Sequence, residues 1–135
     1  TERIPPRKAI RENAPLELTH VLMLCDDIEN KLINFNKAEL EKIYDINLMF
    51  GGGNICGWLV RGEEAERFNK RLEDYINKKK SESDTPLIFA VGDGNHSLAT
   101  AKACWEELKA KNPGADLSEH PARYAMVELE NIHEK

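Results

Sequence analysis

Between Phe89 and Ala110 the chain reads FAVGDGNHSLATAKACWEELKA, and this stretch restricts the fold more than any other. A short apolar run breaks at Gly92 and passes Asp93, Gly94, Asn95 and His96. From about Ser97 the apolar residues recur at helical spacing. Leu98, Ala101, Trp105 and Leu108 form the stripe, and Asn112-Pro113-Gly114 ends it. The layout predicts a strand, a glycine-bracketed turn and a helix. Such a unit needs a sheet for its helix to cover.

The remaining segments supply that sheet. HVLMLCDD, from His20, is a compact apolar run closed by two acids and predicts a central strand. FNKAELEKIY predicts a helix, with Asn36 as N-cap, Glu39 as its capping-box partner, and Phe35 with Leu40 as the hydrophobic staple. Leu40, Ile43 and Tyr44 would be its buried face. INLMFGGGNICGWLVRG reads as two strands around Gly51, Gly52 and Gly53, either a hairpin or a glycine loop against a ligand. Glu63 to about Lys80 is an amphipathic helix carried by Ala65, Phe68, Leu72 and Ile76, and KKKSESDTP is a polar connector after it. TPLIFAVGD and ARYAMVELENI are further strands. At the N-terminus Arg3, Arg7 and Arg11 recur every four residues, on a solvated arm or as an anion-binding row, with Pro5, Pro6 and Pro15 limiting any helix to the middle. The expected fold class is α/β (α+β), a mixed β-sheet with packed helices, because the hairpin argues against an all-parallel sheet.

With 135 residues and a net charge of -5, the expectation is a single domain spanning residues 1–135. It is further expected to be excised from a longer chain whose other segments are its partners. The acidic balance argues against a nucleic-acid partner. No apolar run is long enough to span a bilayer, and no signal-peptide pattern is present. Cys25, Cys56 and Cys104 are widely spaced and lack metal-site spacing, which points to buried thiols in the cytoplasm.

The turn at 93–97 offers defined chemistry. A helix N-terminus presents unpaired N–H groups and partial positive charge, and glycines before it let backbone approach a phosphate. His96 could stabilise an anion or act as an acid or base. Asp93 could act as a base or hold Mg²⁺, and Ser97 could cap the helix or donate to phosphate. The competing reading gives Asp93 and Asn95 to the turn and Ser97 to a cap. The spacing is that of neither a G-x-x-x-x-G-K-[ST] loop nor a G-x-G-x-x-G fingerprint, and no H-E-x-x-H or nucleophile elbow occurs.

GDGNHSLATAKACWEEL, together with RIPPRKAIRENAPLELTH, LMFGGGNICGWLV and HPARYAMVELENIHEK, resembles the bacterial and archaeal proteins grouped as domain of unknown function 1015. Members typically carry D-G-H-H-R-x-x-x-A at the corresponding turn. More distantly, Asp93 to Ala101 is similar to the G-x-H-R or G-x-R-R turn of the ParB and sulfiredoxin superfamily, which includes an ADP-dependent serine kinase. That resemblance implies a phosphate site lined by Gly94, Asn95, His96 and Ser97, with Asp93 where an acid or base could act; joined to the chemistry of the turn, the expectation is Asp93 and His96 catalytic, Asp93 the metal residue, and ADP or ATP with Mg²⁺ as cofactor. Ser97 stands where the superfamily has Arg, which removes a bidentate contact worth about 1–3 kcal/mol unless another cation supplies it. Arg7, Arg11, Lys102 and Arg123 are the candidates, and Arg11 and Arg123 join the expected ligand-binding set. The expected function is a phosphate- or nucleotide-binding domain acting as a phosphotransferase on a small metabolite. The alternatives are a non-catalytic nucleotide- or anion-sensing module, and a structural domain whose function lies in other segments.

Overall fold

The computed structural model describes residues 2–134. Its contacts divide the chain into two compact units, Thr1–Asp26 with Phe89–Ile132, and Asp27–Ile88 with His133–Lys135.

The first unit is built on a three-stranded mixed sheet with order β4-β1-β5. Strand β1 (Leu22–Cys25) is central, as its apolar run predicts, and its ends are sealed by Val21 and Cys25, each 2% exposed. It pairs parallel to β5 (Glu128–Asn131) from Leu22↔Glu128 to Cys25↔Asn131. With β4 (Ala90–Asp93) it pairs antiparallel, Leu22 opposite Asp93 and Met23 opposite Val91. Gly92 is the extra residue in that register, a bulge that re-aims the chain just before the turn.

Two helices belong to this unit. The long one, α3 (Asn95–Lys111), runs on from β4 and buries Ser97, Thr100 and Ala101. The N-terminal segment is a helix rather than an extended arm: α1 (Ile4–Arg11) packs on α3. Pro5 and Pro6 lie in its first turn, where the missing N–H groups have no intrahelical acceptor anyway. The predicted C-terminal strand is shorter than its alternation suggests. Only Glu128–Asn131 is paired, and Pro121–Arg123 forms one 3₁₀ turn capped by the His120 ring.

The second unit holds a separate two-stranded antiparallel sheet and one helix. Here the sequence-based helix at Asn36 is corrected. Asn36 does cap, accepting from the Ala38 N–H and donating to Glu39, but only one 3₁₀ turn follows, Lys37–Glu39. Leu40 is extended (φ -107, ψ 148) and the chain continues as β2 (Glu41–Asn47). Ile43, Tyr44 and Ile46 favour a pleated strand over a helix, and β3 (Asn54–Leu59) gives them a partner. Ile43 and Tyr44 are consequently exposed instead of buried. The glycine stretch is a hairpin connection, with positive φ at Gly51 (+73) and Gly53 (+94).

Helix α2 (Glu63–Glu82) forms where periodicity predicts it and continues through the three lysines, so the connector starts at Ser83. Tyr75 is its buried residue, and its hydroxyl donates to the Ile88 carbonyl at 2.8 Å. Phe68 meets Phe35 with ring centroids 5.8 Å apart, and Arg71 stacks on the same Phe35 ring. Asp27 organises the preceding loop by accepting the Lys31 and Leu32 N–H groups at 2.6 and 2.7 Å. Among the described residues no helix is long and apolar enough to cross a membrane.

Candidate functional site

The turn after β4 depends on one glycine. Gly94 is the N-cap of α3 in the left-handed region (φ +99), and a Cβ there would lie 2.8 Å from Val21 Cα. Two demands therefore exclude other residues: positive φ and close approach to the backbone entering β1. Asp93 braces the same turn, its Oδ1 accepting the Gly94 N–H at 2.7 Å.

The first turn of α3 is capped by no side chain. The N–H groups of Ser97 and Leu98 both donate to the Gly94 carbonyl, at 2.9 and 3.0 Å. Those of Asn95 and His96 meet no acceptor among the described residues, so two donors stand at the positive end of a 17-residue helix. Thr100 secures the turn from below by donating to the His96 carbonyl.

Ser97 does not cap. Its hydroxyl is turned toward His20, with Oγ to Nε2 at 2.7 Å, and Arg7 Nη1 approaches the same oxygen at 3.4 Å. The opposite ring nitrogen of His20, Nδ1, is 2.9 Å from the Leu18 carbonyl. A carbonyl can only accept, so Nδ1 carries the hydrogen, and in the neutral ring Nε2 is left as the acceptor. The chain of donors therefore runs from Arg7 to Ser97, from Ser97 to His20, and from His20 to Leu18. These residues come together because Leu22 pairs with Asp93, which sets the residues before β1 beside those after β4.

The other expected residues are placed differently. The Arg11 guanidinium is taken by Glu17 through both its terminal nitrogens and also reaches the Tyr124 carbonyl. That hydrogen bond with Arg11 holds the Glu17 carboxyl below its ordinary value, against the opposing effect of partial burial. Arg123 donates to the Ser118 carbonyl and lies over the Tyr124 ring. Lys102 is exposed on α3. Of the four cations considered from sequence, Arg7 is the one bonded to Ser97. Asp93 and Asn95 are exposed and His96 is half-buried. No local pattern signals His20, and only the strand register brings it in. His20 also borders an open cavity of about 790 Å³ between α1 and α3, whose wall includes Leu16, Leu18, Cys104 and Leu108.

Among the described residues no three His, Cys, Asp or Glu side chains converge as a metal site. Asp93 is the lone acid at the turn, with one oxygen already committed to Gly94.

A family model described as protein of unknown function (DUF1015) matches residues 1–135, and the chain belongs to that family. No curated protein and no solved structure matches the chain.

Proposed function

We propose that this DUF1015 protein binds a phosphate-bearing small molecule at the N-terminus of α3, in the manner of a nucleotide or metabolite site. One observation carries the reading: the two unspent N–H groups of Asn95 and His96 share the first turn of α3 with Ser97, which already holds the Arg7 guanidinium. Backbone donors and helix polarity position an anion, and a guanidinium supplies charge-assisted contact. Arg7 thus takes the part left open by serine at position 97. His96, half-buried and adjoining, adds a further donor. ADP or ATP fits this chemistry, with Mg²⁺ carried on the phosphates and Asp93 offering its remaining oxygen. A phosphotransferase acting on a small metabolite is the activity that follows if Asp93 also serves as base.

A second reading is supported by the bond from the Gly94 N–H to Asp93, which gives that carboxylate a turn-shaping task without chemistry. In that case the site senses a nucleotide or anion and does not turn it over.

Thermal unfolding with increasing orthophosphate, ADP or ATP, with and without Mg²⁺, tests the site. Stabilisation should grow with ligand concentration as binding linkage requires. Arg7→Ala should weaken binding by about 10- to 100-fold, the equivalent of one charge-assisted hydrogen bond. Arg123→Ala should leave it unchanged. No stabilisation by any of the three ligands would refute the proposal, and so would equal affinity in Arg7→Ala. Replacing Asp93 by Asn separates the two readings, because turnover is lost in the first and there is none to lose in the second.

A further inference from the structure

Ser97 is a buried nucleophilic group that phosphate binding alone does not use. It is 9% exposed, on the first turn of α3, and its hydroxyl is a donor to His20 at 2.7 Å. The geometry points to Ser97 as a covalent nucleophile for a phosphoryl group, with His20 as its general base and Arg7 as the cation for the phosphoryl oxygens. The inference rests on the phosphate-binding reading above and adds the atom that reacts.

Three features separate this arrangement from an ordinary serine hydrogen bond. The Leu18 carbonyl fixes His20 in the tautomer whose Nε2 accepts, so the base is oriented by a third group, as in nucleophile–base–orienter sites generally. The Arg7 guanidinium lies 3.4 Å from the same oxygen, close enough to pass to the phosphoryl oxygens and offset the charge of the transferred group. The first turn of α3 that carries Ser97 also carries the N–H groups of Asn95 and His96, which meet no acceptor among the described residues, so an anion held there would share that turn with the nucleophile.

The step balances without an oxidant or reductant. Ser97 Oγ forms a bond to phosphorus of a phosphate monoester or phosphoanhydride while its proton passes to His20 Nε2. The bond from phosphorus to the leaving oxygen breaks and that oxygen keeps the electron pair; a leaving alkoxide takes the proton from His20, whereas ADP or p-nitrophenolate leaves as the anion and His20 gives the proton to solvent. An acceptor hydroxyl or water then gives its proton to the neutral His20 and attacks phosphorus, the bond from phosphorus to Ser97 Oγ breaks with its electron pair, and Oγ takes that proton from His20. A purely structural latch from α1 to α3 would use the same three residues but would form no adduct.

The test uses p-nitrophenyl phosphate and Mg²⁺-ATP as donors, acid quenching, and peptide mass spectrometry. The expected result is one phosphoryl group on Ser97, absent in Ser97→Ala and formed at least about 100-fold more slowly in His20→Gln, the usual size of a lost general base. Because Ser97→Ala also breaks a buried hydrogen bond, Ser97→Cys provides a readout without substrate. Its thiol should be alkylated by iodoacetamide at lower pH than Cys104, and His20→Gln in the same background should remove the difference. An unmodified Ser97, or an adduct formed equally fast in His20→Gln, overturns the nucleophile. If orthophosphate still stabilises the protein in that event, the binding reading stands alone. If none of orthophosphate, ADP and ATP gives stabilisation, the binding reading falls and takes the covalent step with it.

Discussion

Replacing Gly94 by Ala puts the sharpest structural demand on the turn. The new methyl would lie 2.8 Å from Val21 Cα, 2.9 Å from its Cγ2 and 3.1 Å from its Cβ, where carbon contacts are comfortable only at about 3.5–4.0 Å. Val21 is 2% exposed and leads into the central strand, so it has no solvent side toward which to retreat. Overpacking of this kind costs about 1–3 kcal/mol. The positive φ of +99 adds about 1–2 kcal/mol for a residue with a Cβ. The sum is about 2–5 kcal/mol, a large part of the stability of a domain this size.

Gly114→Ala is the control, since Gly114 also has positive φ (+80), lies in the same unit, and has nothing within 4 Å of where the new methyl would stand. It should lose only the conformational part, about 1–2 kcal/mol. Urea unfolding followed by the fluorescence of Trp105 reads this unit when Trp58, in the other unit, is replaced by Phe in all variants. At a slope of about 1–3 kcal/mol per molar urea, Gly94→Ala should lower the midpoint by about 0.7–5 M, and by more than Gly114→Ala at the same slope. Equal losses in Gly94→Ala and Gly114→Ala would show that close approach to Val21 is not what selects glycine, and the reasoning would fail.

Two further outcomes follow from the second unit. Asp27→Ala should destabilise it by about 2–4 kcal/mol, because the buried N–H of Leu32 and that of Lys31 lose a charged acceptor; Trp58 fluorescence in urea reads the loss, and Asp27→Asn should recover part of it. The Lys42 ammonium, followed by the Asn54 amide and the Cys56 thiol, holds the Asp45 carboxyl at about 2, so its NMR titration midpoint should lie there and rise in Lys42→Met while staying below the ordinary carboxylate range, since Asn54 and Cys56 remain. As the folded value is depressed, any support Asp45 gives the hairpin is present above the ordinary carboxylate range and is lost as pH falls toward about 2.

Which elements are legible in the sequence follows from the range of the signal. Helices α2 and α3 carry apolar residues at helical spacing over many turns, and β1 is an uninterrupted apolar run, so local pattern and burial agree. At Asn36 the local signal is real but reaches less far than a full helix. The Asn36 cap specifies one turn, Lys37–Glu39, with Glu39 accepting from the Asn36 side-chain amide instead of its backbone N–H, but the next residues are decided by pairing with β3, seen only across the hairpin. The same limit applies at the turn. Gly94 announces a positive φ, but its approach to Val21 is a tertiary fact, and so is His20 beside Ser97, which lies 77 positions along the chain. Ser97 is not the cap its position suggests, because the sequence shows the hydroxyl and its helix position but not the acceptor that competes for it.

In the proposed phosphate site, the identity of the cation is decided by competition between acceptors. Arg7 and Arg11 are one turn apart on α1, and the sequence reading puts Arg11, not Arg7, in the ligand-binding set. Glu17 weighs against Arg11 by taking it through two charge-assisted contacts, which an incoming phosphate would have to break. Arg7 is bonded to a neutral hydroxyl at 3.4 Å, while the same oxygen is bound to His20 at 2.7 Å. Exchanging that long neutral contact for a phosphate oxygen gains charge assistance and releases a lone pair of Ser97 without disturbing its bond to His20. Arg7 is therefore the guanidinium that can swing to an anion at low cost, and its movement would leave the Ser97 hydroxyl aligned on its base.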